Sequence, residues 1–93
     1  MTSTVNLSPA ARQDLREIWR YSMVNWGTGR ADAYIGDLYA AFSRLALFPG
    51  SGHLDQSFGE GIRLSRSGLH LIVHRASENA VEIIRVLHGQ LSE

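Results

Sequence analysis

Two amphipathic stretches separated by almost nothing constrain this chain more than any other feature. Ser8-Pro9 is a strong helix start, because serine accepts from the first free N–H groups and proline has no N–H to lose there. Leu15, Ile18, Trp19, Ser22 and Trp26 then recur at helical spacing, predicting a first helix over residues 9–26 that Gly27 ends in the C′ role. Thr28 is placed to cap a second helix, in which Ala31, Tyr34, Ile35, Leu38, Phe42 and Leu45 share a face. Pro49 disfavours α geometry at Phe48 and stops that helix. Two long helices joined by about two residues must fold back antiparallel. Gly36, inside the second helix, costs about 1 kcal/mol relative to alanine, and close approach of the first helix is its expected reason. Trp19 and Trp26 lie on the apolar stripe and are expected in the core.

What remains must be sheet. Residues 50–61, GSGHLDQSFGEG, are rich in glycine and polar groups and read as a loop. Three strands are predicted after it, at 62–66, 69–75 and 80–88, separated by Ser67-Gly68 and Ser77-Glu78-Asn79, spacers short enough for hairpins. A further short strand near residues 4–8 pairs somewhere on this meander. The order is β-α-α-β-β-β: an α+β fold, with an antiparallel sheet and an N-terminal helical hairpin packed on one face. With 93 residues the chain supports one core, so residues 1–93 are read as a single domain.

Strand parity carries a further inference. In the last strand the odd set is Val81, Ile83, Arg85 and Leu87, and the even set is Glu82, Ile84, Val86 and His88. In the strand before it, Leu69, Leu71, Val73 and Arg75 oppose His70, Ile72 and His74. Both faces carry aliphatic residues, yet one hairpin covers only one of them. A half-solvated sheet alternates more cleanly. The other face is either a binding surface or is covered by loop 50–61.

Composition excludes more than it assigns. The formal net charge is zero, which does not indicate a generally basic nucleic-acid binder. There is no cysteine, which removes disulfides, thiolate metal sites and a cysteine nucleophile. No signal peptide or long apolar run is evident, so a cytoplasmic location with no membrane association is expected. All nine basic residues are arginine. Either the coding sequence is GC-rich, or many of these positions need a planar bidentate donor that lysine cannot supply.

Arg63, Arg66, Arg75 and Arg85 lie on or beside the strands with His70, His74 and His88. Arginine and histidine together hold a phosphate and move a proton, as a metal-independent ribonuclease must. A nuclease here would use His74 or His88 with Arg63, Arg66 or Arg85. Such chemistry needs convergence on one phosphate, and the cross-strand register decides that. The alternative is a set of scattered polar positions on an amphipathic sheet. The histidines show no zinc spacing, and no metal or cofactor is expected. Ser65 and Ser67 lie near His70 without a nucleophile elbow or an ordered acid, which discards a serine hydrolase. On the first helix Arg12, Arg16 and Arg20 recur at i, i+4 and i+8. That stripe is either a solvated face or a docking surface for an acidic partner or for DNA phosphates.

Five segments, taken together, resemble the ParE-type toxins of the RelE/ParE superfamily of toxin–antitoxin systems. They are LSPAARQDLREIWRY (7–21), NWG (25–27), ADAYIGDLYAAFSRLALFPGSG (31–52), SGLHLIVHR (67–75) and VEIIRVLHG (81–89). Their order and spacing cover roughly residues 5–90, and the β-α-α-β-β-β reading agrees with that family's fold.

The resemblance implies a toxin that traps DNA gyrase with its DNA cleaved and so arrests growth. It also implies a ParD-like antitoxin as partner, with a ribbon-helix-helix end that contacts DNA and an extended tail that wraps the toxin. DNA is then touched only indirectly. RelE-like relatives instead cut mRNA on the ribosome, with arginine, lysine and tyrosine or histidine around the sheet. This chain has no lysine, and Tyr21, Tyr34 and Tyr39 all lie on the predicted helices. It reads Val73-His74-Arg75 where many relatives read Phe-Tyr-Arg, and His88 falls where some nuclease relatives carry a C-terminal histidine. The favoured reading is therefore non-catalytic. Arg12, Arg16, Arg20, Arg63, Arg66, His70, Arg75, Arg85 and His88 are its candidate antitoxin- or target-binding residues. The ribonuclease alternative rests on His74, His88 and Arg85. A third possibility is an inactive remnant that only tunes the antitoxin's binding to DNA.

Overall fold

A computed structural model describes residues 4–89. Strand β1 (Thr4–Leu7) leads into α1 (Pro9–Trp26) and α2 (Thr28–Leu47). Then come a two-residue strand β2 (His53–Leu54), a single 3-10 turn (Gln56–Phe58), and strands β3 (Arg63–Ser67), β4 (His70–Ser77) and β5 (Ala80–His88). The Ser8 hydroxyl accepts from the Ala11 amide at 2.9 Å, as the helix start requires. The hinge is tighter than its sequence indicates. Gly27 ends α1 and is also the residue that precedes α2, so Thr28 is the first helical residue and not a cap. Gly36 has a simpler basis than close helix approach: a Cβ there would meet nothing within 4 Å.

The sheet is mixed, which corrects the all-antiparallel expectation. Its order is β1-β5-β4-β3-β2. The β3, β4 and β5 strands form the expected meander, but β1 runs parallel to β5, with Val5 opposite Val81 and Leu7 opposite Ile83. The helical hairpin is the crossover that brings the chain back to the sheet. The polar stretch 50–61 is not wholly loop, because His53 and Leu54 pair with Leu64 and Arg63.

Simple parity also fails once, within β5. Val73 pairs with Arg85 while His74 pairs with Ile83, so Ile84 is an extra residue, a β-bulge. The Ser8 amide donates to the Ile83 carbonyl at 3.0 Å and the Ser8 hydroxyl donates to the Ile84 carbonyl at 2.7 Å. One residue thus starts α1 and ties it to the bulge. Upstream of the bulge, Val81 and Ile83 pack toward the helices; downstream, Val86 does. Ile84 and Leu87 pack in a second cluster with Ile62, Leu64, Leu71 and Val73.

The main core lies between sheet and hairpin. Ala11, Leu15, Leu38, Ala41, Phe42 and Leu45 meet Ile72, Val81, Ile83 and Val86 there. Among the described residues, the second cluster is built from the strands and Ile62 alone. No helix among the described residues is long and apolar enough to cross a membrane.

Candidate functional site

At the hinge end of the hairpin the two layers part. α1 runs past the sheet, and its last turns, with the start of α2 and the β3–β4 turn, enclose a groove of about 870 Å³. Its walls are Ile18, Tyr21 and Trp26 from α1, Ala33 and Tyr34 from α2, and Leu69, Val86 and Leu87 from the sheet. Trp26 is therefore not a core residue: it is 50% exposed, with Tyr21 edge-on against it at 5.7 Å between ring centroids. Trp19 is also outside the core cluster, its indole N–H donating to Asp32 at 2.8 Å.

An ion pair bridges the layers along one wall. Asp14, only 8% exposed, takes both Arg85 Nε at 2.8 Å and Nη2 at 2.9 Å, and its carboxylate also accepts from the Val86 amide at 2.9 Å. Burial alone would raise the Asp14 pKa, but the Arg85 hydrogen bonds and charge and the Val86 amide outweigh it and hold the group below its ordinary value. Regular alternation already places Arg85 on the helix side with Val81 and Ile83. Beyond the bulge Val86 takes that side and Leu87 joins the second cluster, while Arg85 still reaches Asp14 on α1. A strand this apolar carries a guanidinium because a helix carboxylate awaits it.

Tyr34 fastens the other wall. Its oxygen accepts from the Leu69 amide at 2.9 Å and lies 2.6 Å from His70 Nδ1 and 3.3 Å from the Ser67 carbonyl. The hydroxyl donates to the Ser67 carbonyl, and the tautomer of His70 sets the direction of the shorter bond to Nδ1. Gly68 makes this possible: its φ is 58°, and a Cβ would fall 2.8 Å from the Tyr34 ring and hydroxyl. His88, the last residue of β5, sits edge-on to His70 with centroids 5.2 Å apart. Burial, then the neighbouring His88, lowers the His70 pKa, and Asp14 opposes them only in part. At neutral pH the groove presents neutral His70, an arginine already paired, aromatic walls, and the charges of Glu17, Asp37 and Arg30.

The predicted site residues are thus divided. Arg85, His70 and His88 meet in the groove. Arg66 donates to the Gly89 carbonyl at 3.1 Å, just beyond β5, and Arg63 donates to the Gly52 carbonyl at 3.4 Å, beside the β2 edge of the sheet. Arg75 is exposed beside Gly61, and Arg12, Arg16 and Arg20 line the outside of α1. The trio His74, His88 and Arg85 does not converge. His74 pairs with Ile83 and Arg63, four positions along β4 from the His70–His88 pair.

His74 is moreover 0% exposed. Its Nε2 is 2.8 Å from Ser65 Oγ, and its Nδ1 has no partner among the described residues. Gly52 closes over it so tightly that a Cβ would lie 2.6 Å from Ser65 Oγ and 3.1 Å from Nε2. Burial, with Arg63 nearby, lowers its pKa to about 4. No cluster of three or more histidine, aspartate or glutamate side chains suited to a metal occurs among the described residues.

Asp14, Tyr34 and Trp26 are the groove residues that sequence reading missed. Asp14 had a visible signal, a carboxylate three residues after Ala11 and beside Leu15 on the apolar face. Tyr34 had none, since a tyrosine on a core-facing stripe looks like any other large side chain.

The helical hairpin and mixed sheet form a fold shared with chains of solved toxin–antitoxin assemblies. The structure titled a chromosomal ParDE toxin–antitoxin system from P. aeruginosa matches with TM-score 0.82 at 18% identity, covering 96% of this chain and 98% of that one. The toxin–antitoxin complex RelBE2 from Mycobacterium tuberculosis matches with TM-score 0.63 at 23% identity, covering 96% and 100%. Sequence carries the assignment further. The model of the ParE toxin of the type II toxin–antitoxin system, parDE, matches residues 5–91. Toxin ParE1 of Caulobacter vibrioides is 40% identical over 86 residues, 92% of this chain and 88% of that protein. Toxin ParE1 of M. tuberculosis is 34% identical over 92 residues, 98% and 94%. The chain belongs to the ParE toxin family of type II toxin–antitoxin systems.

Proposed function

We propose that this toxin arrests growth by trapping DNA gyrase with its DNA cleaved, and that a ParD-like antitoxin neutralises it by laying a segment of its tail in the groove. The observation that carries the reading is the groove's chemistry. It has the apolar walls and exposed aromatic rim of a protein-binding cleft. Its Arg85 is committed to Asp14, and Glu17 and Asp37 beside it oppose a phosphate backbone. Family membership supports the gyrase target, and the toxin–antitoxin nature of the relatives supports the ParD-like partner. Action on gyrase takes place in the cytoplasm and needs no catalytic residue in the toxin.

The deciding experiment is a gyrase supercoiling and DNA-cleavage assay with purified toxin, with and without its cognate antitoxin. Linear DNA that accumulates with toxin and disappears with antitoxin supports the proposal. Supercoiling unchanged at any stoichiometry overturns it, and mRNA cleavage on programmed ribosomes would then favour the nuclease alternative.

A further inference from the structure

We infer that the arginine row on α1 is a DNA-contacting surface, in which Arg12, Arg16 and Arg20 hold the phosphate backbone of duplex DNA directly. The helix sorts its charges by side. Each step of four residues turns the row by only about 40° and rises about 6 Å. The three guanidinium groups therefore form one slowly winding line about 12 Å long on α1. All three residues are exposed. Arg16 donates to the Gln13 side chain at 2.8 Å, and none of the three closes a salt bridge among the described residues. The carboxylates of α1 lie on another flank: Asp14 is bound by Arg85, and it and Glu17 line the large groove. Arg12 instead lines a small cleft on the α2 side, with Tyr39 and Ser43. The chain is neutral overall, so the row is a local concentration of charge and not part of a generally basic surface.

What the row lacks selects its occupant. Protein interfaces are anchored by aromatic and apolar side chains that become buried. The large exposed hydrophobics of α1 are Tyr21, Val24 and Trp26, all beyond Arg20 toward the hinge. No residue between Arg12 and Arg20 is of that kind. Duplex DNA asks for charge alone. Each of its strands carries a phosphate every 3.4 Å or so of axis, so a row of about 12 Å spans three or four of them. Arginine meets a phosphate with two parallel N–H donors, a fork that lysine does not have. A second copy of the chain would set arginine against arginine, which disfavours self-pairing. Three such contacts, with no element that reads base edges, give weak and sequence-independent attachment. The surface therefore acts on DNA that is already held nearby. The gyrase reading above names where that DNA is met, and the phosphate contact itself does not depend on it.

The test titrates the full chain into a fluorescein-labelled duplex of about 20 base pairs, read by anisotropy between about 50 and 200 mM NaCl. Three phosphate contacts predict that log K falls with log salt at a slope of about −2.7, roughly a fortyfold loss across that range. Each of Arg12→Gln, Arg16→Gln and Arg20→Gln should take about 0.9 from the slope, and the triple variant should lose binding. All three side chains are exposed, so the urea midpoint of each single variant should stay where it is, which separates loss of contact from loss of fold. No measurable binding at the lowest salt, or a slope that the substitutions do not alter, would overturn the inference. A poly-glutamate peptide that binds the chain more tightly than the duplex does would also overturn it, and would assign the row to an acidic protein. Gyrase takes no part in this assay, so the DNA contact and the gyrase reading stand or fall separately.

Discussion

The two ends of the helix–sheet interface are built from the same two layers and come out differently. Toward β1, Phe42, Leu38 and Ala41 pack with Val81 and Ile83 in the main hydrophobic core. At the hinge end the facing positions are Asp14, Tyr34, His70 and His88, and the layers are held apart by hydrogen bonds. Aliphatic side chains interdigitate to crystal-like density, whereas a bridging carboxylate or phenol keeps its own length and leaves space beside it. The first end supplies the stability of the fold. The second leaves a groove lined by aromatic and apolar side chains.

The strongest way to break the comparison is to hollow out the closed end. Phe42→Ala should destabilise the chain by about 3–5 kcal/mol, seen as an earlier urea midpoint, while the folded fraction keeps its affinity for the antitoxin. If affinity falls in proportion to stability, the two ends are not separable.

Acid titration sharpens it next. His74 is buried and uncharged, so the unfolded chain binds its proton more readily. Stability from this group is complete above pH about 6.5 and is lost as pH falls toward about 4. The full loss is on the order of 3 kcal/mol, and His70 adds a loss of the same sign. Denaturation at stepped pH should show this slope, and His74→Leu should flatten most of it. Asp14 contributes in a lower window, since its depressed pKa keeps its stabilisation until the pH falls through the folded value.

Asp14→Ala tests the bridge itself. It strips the acceptor from the Val86 amide and the partner from Arg85, whose side chain is 46% exposed. The expected cost is about 2 kcal/mol, less than for a fully buried pair because water re-solvates the arginine. Asp14→Asn should recover part of it through the Val86 bond. A cost below about 0.5 kcal/mol would mean that the pair holds nothing together.

Much of this architecture was legible in the residues. Ser8-Pro9, Gly27 and Pro49 punctuate the helices, and the apolar period supplies the rest, so both helices lie within a residue or two of where they are read. The three meander strands are equally plain. The β1 direction was not, because a two-helix connection can return a chain to either side of a meander, and sheet pairing rather than local pattern decides. The bulge was hidden for a different reason. Ile83, Ile84 and Val86 are all β-branched, and a one-residue slip among such residues leaves no mark on composition. That slip brought Val86 to the helix side and carried Leu87 to the second cluster. Trp26 misled because helical period reports which stripe a residue lies on, not whether the helix has outrun the sheet beneath it. His74 looked reactive by residue type, and only the closeness of Gly52 shows that it is sealed.

The central claim is that the hinge-end groove is where the partner binds, and Trp26→Ala tests it most directly. The ring is half exposed and outside the core cluster, so stability should change by less than about 0.5 kcal/mol. As a rim anchor, its loss should cost on the order of 2 kcal/mol of binding, roughly thirtyfold in Kd for the cognate antitoxin by titration calorimetry. A weakened complex with unchanged Tm is the predicted result. An unchanged Kd would contradict the account and move the antitoxin's binding site elsewhere on the chain.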